Sequence, residues 1–101
     1  MVTLENSTIV IHNERASLED KIEIENFIEN LVQDGVMVIY VDLTLPVYLP
    51  SELLGLLMWK KRELNEGGRN IVVKKINSTL KSIFDNARLT DFFEISNSSI
   101  V

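Results

Sequence analysis
Cysteine is absent, which excludes disulfides and thiolate metal sites and is compatible with a reducing compartment. His12 is the only histidine; one imidazole cannot assemble a histidine-rich metal site, and its place at the end of a short β-branched run suits a surface loop. The four glycines, Gly35, Gly55, Gly67 and Gly68, form neither a G-x-G-x-x-G nor a P-loop arrangement. Ser51 lacks the G-x-S-x-G frame of a nucleophile elbow, so a hydrolase using His12 as base has no support. Catalysis and cofactors are therefore not expected. The longest apolar runs, Val36 to Val41 and Leu53 to Trp59, fall far below the roughly 18 to 20 residues that span a bilayer. The start, Met1 to Asn6, has neither the basic residues nor the apolar stretch of a signal peptide. No membrane insertion is expected, and a cytoplasmic location is.

What the chain does have is ordinary globular usage, 46% hydrophobic and 25% charged residues, which argues against disorder. Its 101 residues suffice for one core and one domain, spanning 1–101. The net charge of −5 is unevenly spread: residues 1–57 hold ten acids against Arg15 and Lys21, a net −8, whereas residues 58–101 hold five acids against eight bases, a net +3. An acidic chain without a basic stripe is a poor ligand for a phosphate backbone. A protein partner is expected instead of nucleic acid. The acidic cluster preceding Gly35 reads as a solvated face.

Strand and helix signals alternate along the chain. Thr8 to Ile11 is a β-branched run, preceded by a brief first strand expected near Val2 to Leu4. From Ser17 onward, Leu18, Ile22, Ile24, Phe27, Ile28, Leu31 and Val32 recur mostly three or four apart, the stripe of an amphipathic helix. Ser17 with Asp20 three residues later resembles a capping box, and Gly35 stops the helix. Val36 to Leu43 is nearly continuous in apolar residues, which predicts a central strand covered on both faces or shielded by helix ends. Ser51 to about Glu66 is a second helix, with Lys60, Lys61 and Arg62 complementing its dipole and Gly67-Gly68 ending it.

Ile71, Val72 and Val73 place another strand within Arg69 to Lys75. Asn77 or Ser78 caps a third helix whose apolar face is Leu80, Ile83, Phe84 and Ala87. Phe92, Phe93 and Ile95 suggest a final short strand, and Ser96 to Val101 a frayed tail. Strands alternating with single helices predict an α/β domain: a mixed, mostly parallel sheet of four to five strands with crossover helices.

Ser51 is the main functional candidate. A strand feeding a helix start puts loop residues at the carboxyl edge of the sheet, where free N–H groups and the helix dipole favour an anion. The plain alternative is an N-cap whose hydroxyl accepts from the backbone. Asp42, ending the central strand, suits capping of the loop that follows. Leu53 to Trp59 is too apolar for one helix face; burial is the plainer reading, with Leu53 the residue expected to be sticky.

The segments VIYVDL, YLPSELLGLL, LNEGGRNIVV and INSTLKSIFDNARLTDFFEI, with the order of elements, resemble the STAS domain family, which includes anti-sigma factor antagonists and the cytoplasmic domains of sulfate transporters. The likeness is strongest from Val36 to Ile95. Tyr48, Leu49, Ser51, Leu54 and Gly55 stand at positions matching the family's serine loop. The resemblance implies binding to an anti-sigma factor or related serine kinase, phosphorylation of Ser51 by that kinase, and dephosphorylation by a PP2C-type phosphatase. The helix mouth around that serine, Tyr48, Pro50, Ser51, Glu52 and Leu53, is the expected partner-binding surface. Pro50 replaces the usual acidic residue, Glu52 a small one, Leu53 a glycine, and Arg88 a helix-ending glycine. Those departures keep a second expectation open, a non-phosphorylated interaction subunit of a lipid-transport complex or sensory scaffold.

Overall fold
A computed structural model describes residues 1–101. Its strands are β1 (Val2–Glu5), β2 (Thr8–Ile11), β3 (Val38–Leu43) and β4 (Asn70–Ile76), and its helices α1 (Leu18–Gln33), α2 (Ser51–Glu66), α3 (Ser78–Asn86) and α4 (Leu89–Phe92). A 3₁₀ turn follows at Asn97–Ser99. The sheet order is β1-β2-β3-β4, with β1 antiparallel to β2 and the other pairs parallel. The result is a small α/β domain built on a four-strand mixed sheet.

Both parallel crossovers advance in the same direction across the sheet. Right-handed connections therefore lay α1 and α2 on one face, where they pack against each other. Burial alternates accordingly. Ile9, Ile11, Ile39, Val41, Leu43, Ile71, Val73 and Ile76 are buried and join a single core of 21 residues, whereas Thr8, Val10, Tyr40, Asp42 and Val72 on the other parity are only partly covered. Of the two expectations for the central strand, coverage on both faces is corrected: one face of the sheet is open. The near-continuous apolar run arose because Val38 and Tyr40 occupy that half-exposed face.

The capping box at α1 is present. The Ser17 hydroxyl accepts from the Asp20 N–H at 3.1 Å, and the Asp20 carboxylate accepts from the Ser17 N–H at 2.8 Å. The inward stripe is narrower than periodicity implied, since Ile24, Ile28 and Leu31 are buried but Leu18 and Ile22 are more than half exposed. The α2 cations also differ from expectation. Lys60 pairs with Glu63, while Lys61 is buried, its ammonium donating to Asn70 Oδ1 at 2.8 Å and to the Ile71 carbonyl at 3.4 Å. Lys61 thus joins α2 to β4, and the helix end is terminated by Gly67 and Gly68, the latter at φ +75°, a conformation glycine adopts without Cβ strain.

The expected final strand is not formed. Leu89–Phe92 is a short helix that buries Leu89 and brings Phe93 edge-on to Phe92 and beside Phe84. Aromatic content suggested a strand, but burial against α3 sets the conformation. The chain then returns to the sheet. Ile100 bridges Ile76 in parallel, and the Val101 N–H donates to the Ile76 carbonyl at 2.9 Å, so the tail expected to fray is tied to the β4 edge.

Candidate functional site
The carboxyl ends of β2 and β3 release two loops that hold each other. The Val47 and Tyr48 N–H groups donate to the Glu14 carbonyl at 2.7 and 3.2 Å, and the Ala16 N–H donates to the Tyr48 carbonyl at 3.1 Å, forming a parallel bridge between Arg15 and Tyr48. At the exit of β3, Asp42 Oδ1 accepts from the Thr44 N–H at 2.9 Å and from its hydroxyl at 2.6 Å. Asp42 is thus the loop cap that its position implied, and its local turn is a familiar use of a short carboxylate.

Asn77 secures the same loop from the far side. Its Oδ1 caps α3 by accepting from the Leu80 N–H at 2.9 Å, while Nδ2 donates to the carbonyls of Leu43, Thr44 and Pro46 at 3.2, 3.1 and 2.7 Å. The cap was visible in the sequence. The clamp was not, because it joins residues more than thirty positions apart and depends on the β3 and β4 ends lying side by side.

Ser51 is exposed and is the first residue of α2, with Pro50 as the N-cap. The N-cap reading of Ser51 is therefore corrected. Proline supplies no capping side chain, and its fixed φ of −62° suits the helix entry. The N–H groups of Ser51 and Glu52 receive no side-chain cap, so the helix begins with open donors. The Ser51 hydroxyl donates to Glu52 Oε1 at 3.1 Å, and both residues are exposed.

The five expected partner-binding residues divide between surface and interior. Tyr48, Ser51 and Glu52 are exposed, whereas Pro50 and Leu53 are buried. Leu53 is wholly enclosed in the core, so the expectation of a sticky Leu53 is overturned. It points inward because α2 meets the sheet through Leu53, Leu56, Leu57 and Leu64, a spacing of three, one and seven that sets its inner face.

Sequence reasoning missed the apolar part of this rim. Leu45 and Val47 are exposed on the loop beside Tyr48, and Leu18 is exposed two residues after the Ala16 that bonds Tyr48. Their signal in the sequence was faint: isolated apolar residues in a loop, and a leucine assigned to the helix stripe. Arg15 lies in the same place, its guanidinium carbon 4.3 Å from the centre of the Tyr48 ring. No three His, Asp or Glu side chains gather into a metal-binding group. No family model and no curated protein matches the chain.

Proposed function
We infer that the chain is a protein-interaction regulator of the anti-sigma factor antagonist type, which binds an anti-sigma factor or related serine kinase through the rim around Ser51 and is released by phosphorylation there. The observation that carries this reading is an exposed serine hydroxyl at the uncapped start of α2, beside exposed Leu45, Val47 and Tyr48. Apolar and aromatic side chains supply the anchor chemistry of a protein interface. A phosphate on Ser51 adds about −1.5 to −2 charges at pH 7. At the helix start those charges meet open N–H donors, but under a docked partner they lose water while carrying more charge than the rim can pair. The free form tolerates the modification and the complex does not.

A second reading is favoured by Glu52. Its carboxylate occupies the Ser51 hydroxyl and stands where phosphate would place a second negative charge. A constitutive interaction subunit that uses the same rim without phosphorylation, in a lipid-transport complex or sensory scaffold, accounts for that arrangement.

The two readings separate when the anti-sigma-factor-type serine kinases of the same genome are each incubated with the protein and ATP and the phosphate is mapped by mass spectrometry. Phosphate at Ser51, with Ser51→Asp binding that kinase at least about tenfold more weakly than Ser51→Ala, a difference of about 1.4 kcal/mol, supports the switch. A kinase that binds both variants equally and leaves Ser51 unmodified supports the constitutive subunit.

A further inference from the structure
We propose that Arg15 is the intramolecular receiver of a phosphate on Ser51, leaving the Tyr48 ring to pair with it and so remodelling the rim when the switch is thrown. This rests on the phosphorylation of Ser51 inferred above and specifies what that modification does.

Arg15 is exposed, and its guanidinium rests on the Tyr48 ring at 4.3 Å. It makes no ion pair: the pairs in the chain are Met1 with Asp20, Lys60 with Glu63, Lys61 with Glu94 and Lys81 with Asp85. Nor does its side chain donate a hydrogen bond, although Glu14 is its neighbour and Glu52 lies in the same rim. All five donors of the guanidinium are therefore uncommitted. Along with Lys21, one turn into α1, it is one of two bases in the first 57 residues.

The backbone fixes Arg15 in place. The bridge between Arg15 and Tyr48 is held by hydrogen bonds on both sides, and Tyr48 precedes Ser51 by three residues, at most about 10 Å of extended chain. Arg15 and Ser51 thus stand on the two loops that the bridge joins, and the chain between the bridge and position 51 is short enough for an arginine side chain to span. A guanidinium with free donors matches the planar, two-point recognition of phosphate, and a charge-assisted pair of that kind exceeds an exposed cation–π contact. Arg15 therefore transfers from the ring to the phosphate. Three features of the rim change together: the phosphate charge is partly neutralised, the Tyr48 face is uncovered, and the loops before α1 and α2 gain a link.

The test uses full-length protein carrying phosphoserine placed genetically at position 51, so that no kinase is required. The ³¹P titration midpoint of the phosphate is expected about one unit lower in this protein than in its Arg15→Gln form, as a close opposite charge favours the dianion. Arg15→Lys is expected between them, and Lys21→Gln to keep the low midpoint. Tyr48 ring resonances are expected to shift on phosphorylation with Arg15 present and to stay still in Arg15→Gln. Equal midpoints with and without Arg15, or an equal rise in Lys21→Gln, overturn the assignment even if a kinase is found to modify Ser51. A lowered midpoint that depends on Arg15 sustains it even if no kinase does, so the two failures are distinct.

Discussion
At the scale of single residues, buried polar groups are the most exposed to mutation. Asp20 is almost fully buried and accepts from the Ser17 N–H, the Asn13 amide at 3.0 Å and the Met1 ammonium at 3.3 Å. Burial pushes its carboxyl up, but the Ser17 N–H, the ammonium and the Ser17 hydroxyl together hold it below the usual carboxylate value. A carboxyl with a depressed folded-state pKa adds stability that is full above its unfolded value near 3.8 and is lost as pH falls through the folded one. Asp20→Asn is therefore expected to cost about 1 to 2 kcal/mol at pH 7. The gap from wild type should narrow in denaturant titrations repeated below about pH 4; a gap that widens in acid contradicts the assignment. Arg88 offers the opposite change. It follows α3 with φ +59°, in the left-handed region that costs a side chain about 1 to 2 kcal/mol. Arg88→Gly is expected to raise the denaturation midpoint by part of that amount, the gain being reduced by glycine's greater unfolded-state freedom.

At the scale of elements, the rim depends on a clamp more than on its own residues. Asn77 both caps α3 and donates to three carbonyls around the β3–α2 loop. Asn77→Ser retains a capping oxygen and removes the amide nitrogen that reaches the three carbonyls, whereas Asn77→Ala removes both. Amide exchange over residues 44–50 is thus expected to quicken in both variants, while the start of α3 loses protection mainly in Asn77→Ala, at a further cost of about 1 kcal/mol. Unchanged loop exchange in both variants contradicts the clamp. The comparison also shows what local sequence can carry. The capping box at Ser17, the bounds of α2 and the cap at Asn77 were legible because each is decided within a few neighbouring residues. Leu18, Leu53 and the segment after Leu89 were misread because their environments come from distant chain: which side of α1 meets the sheet, which side of α2 does, and what α3 leaves for Phe93 to cover. Ser51 was legible as a helix opening, but the Arg15 beside Tyr48 was not, since only the pairing of two loops brings them together.

At the scale of the whole molecule, the distribution of apolar groups separates stability from binding. The 21 core residues form one contiguous cluster shared by all four strands and by α1 to α4, with no second cluster to melt independently. A single cooperative unfolding transition is expected, the same by far-ultraviolet circular dichroism and by near-ultraviolet signals from Phe84 and Phe93 packing. Trp59 is a poor reporter of it. The indole is 62% exposed on α2, so native emission should already resemble that of a solvated tryptophan and move little on denaturation. Leu53→Ala is expected to lower the common midpoint by about 2 to 5 kcal/mol of stability, because its side chain lies wholly within that cluster. Removing Tyr48 as Tyr48→Ala, by contrast, takes away a partly exposed ring outside the core and should leave the midpoint within about 1 kcal/mol while weakening partner binding. Two transitions in the wild type, or a Leu53→Ala protein as stable as Tyr48→Ala, would mean that the interior and the rim are not separate parts of the molecule.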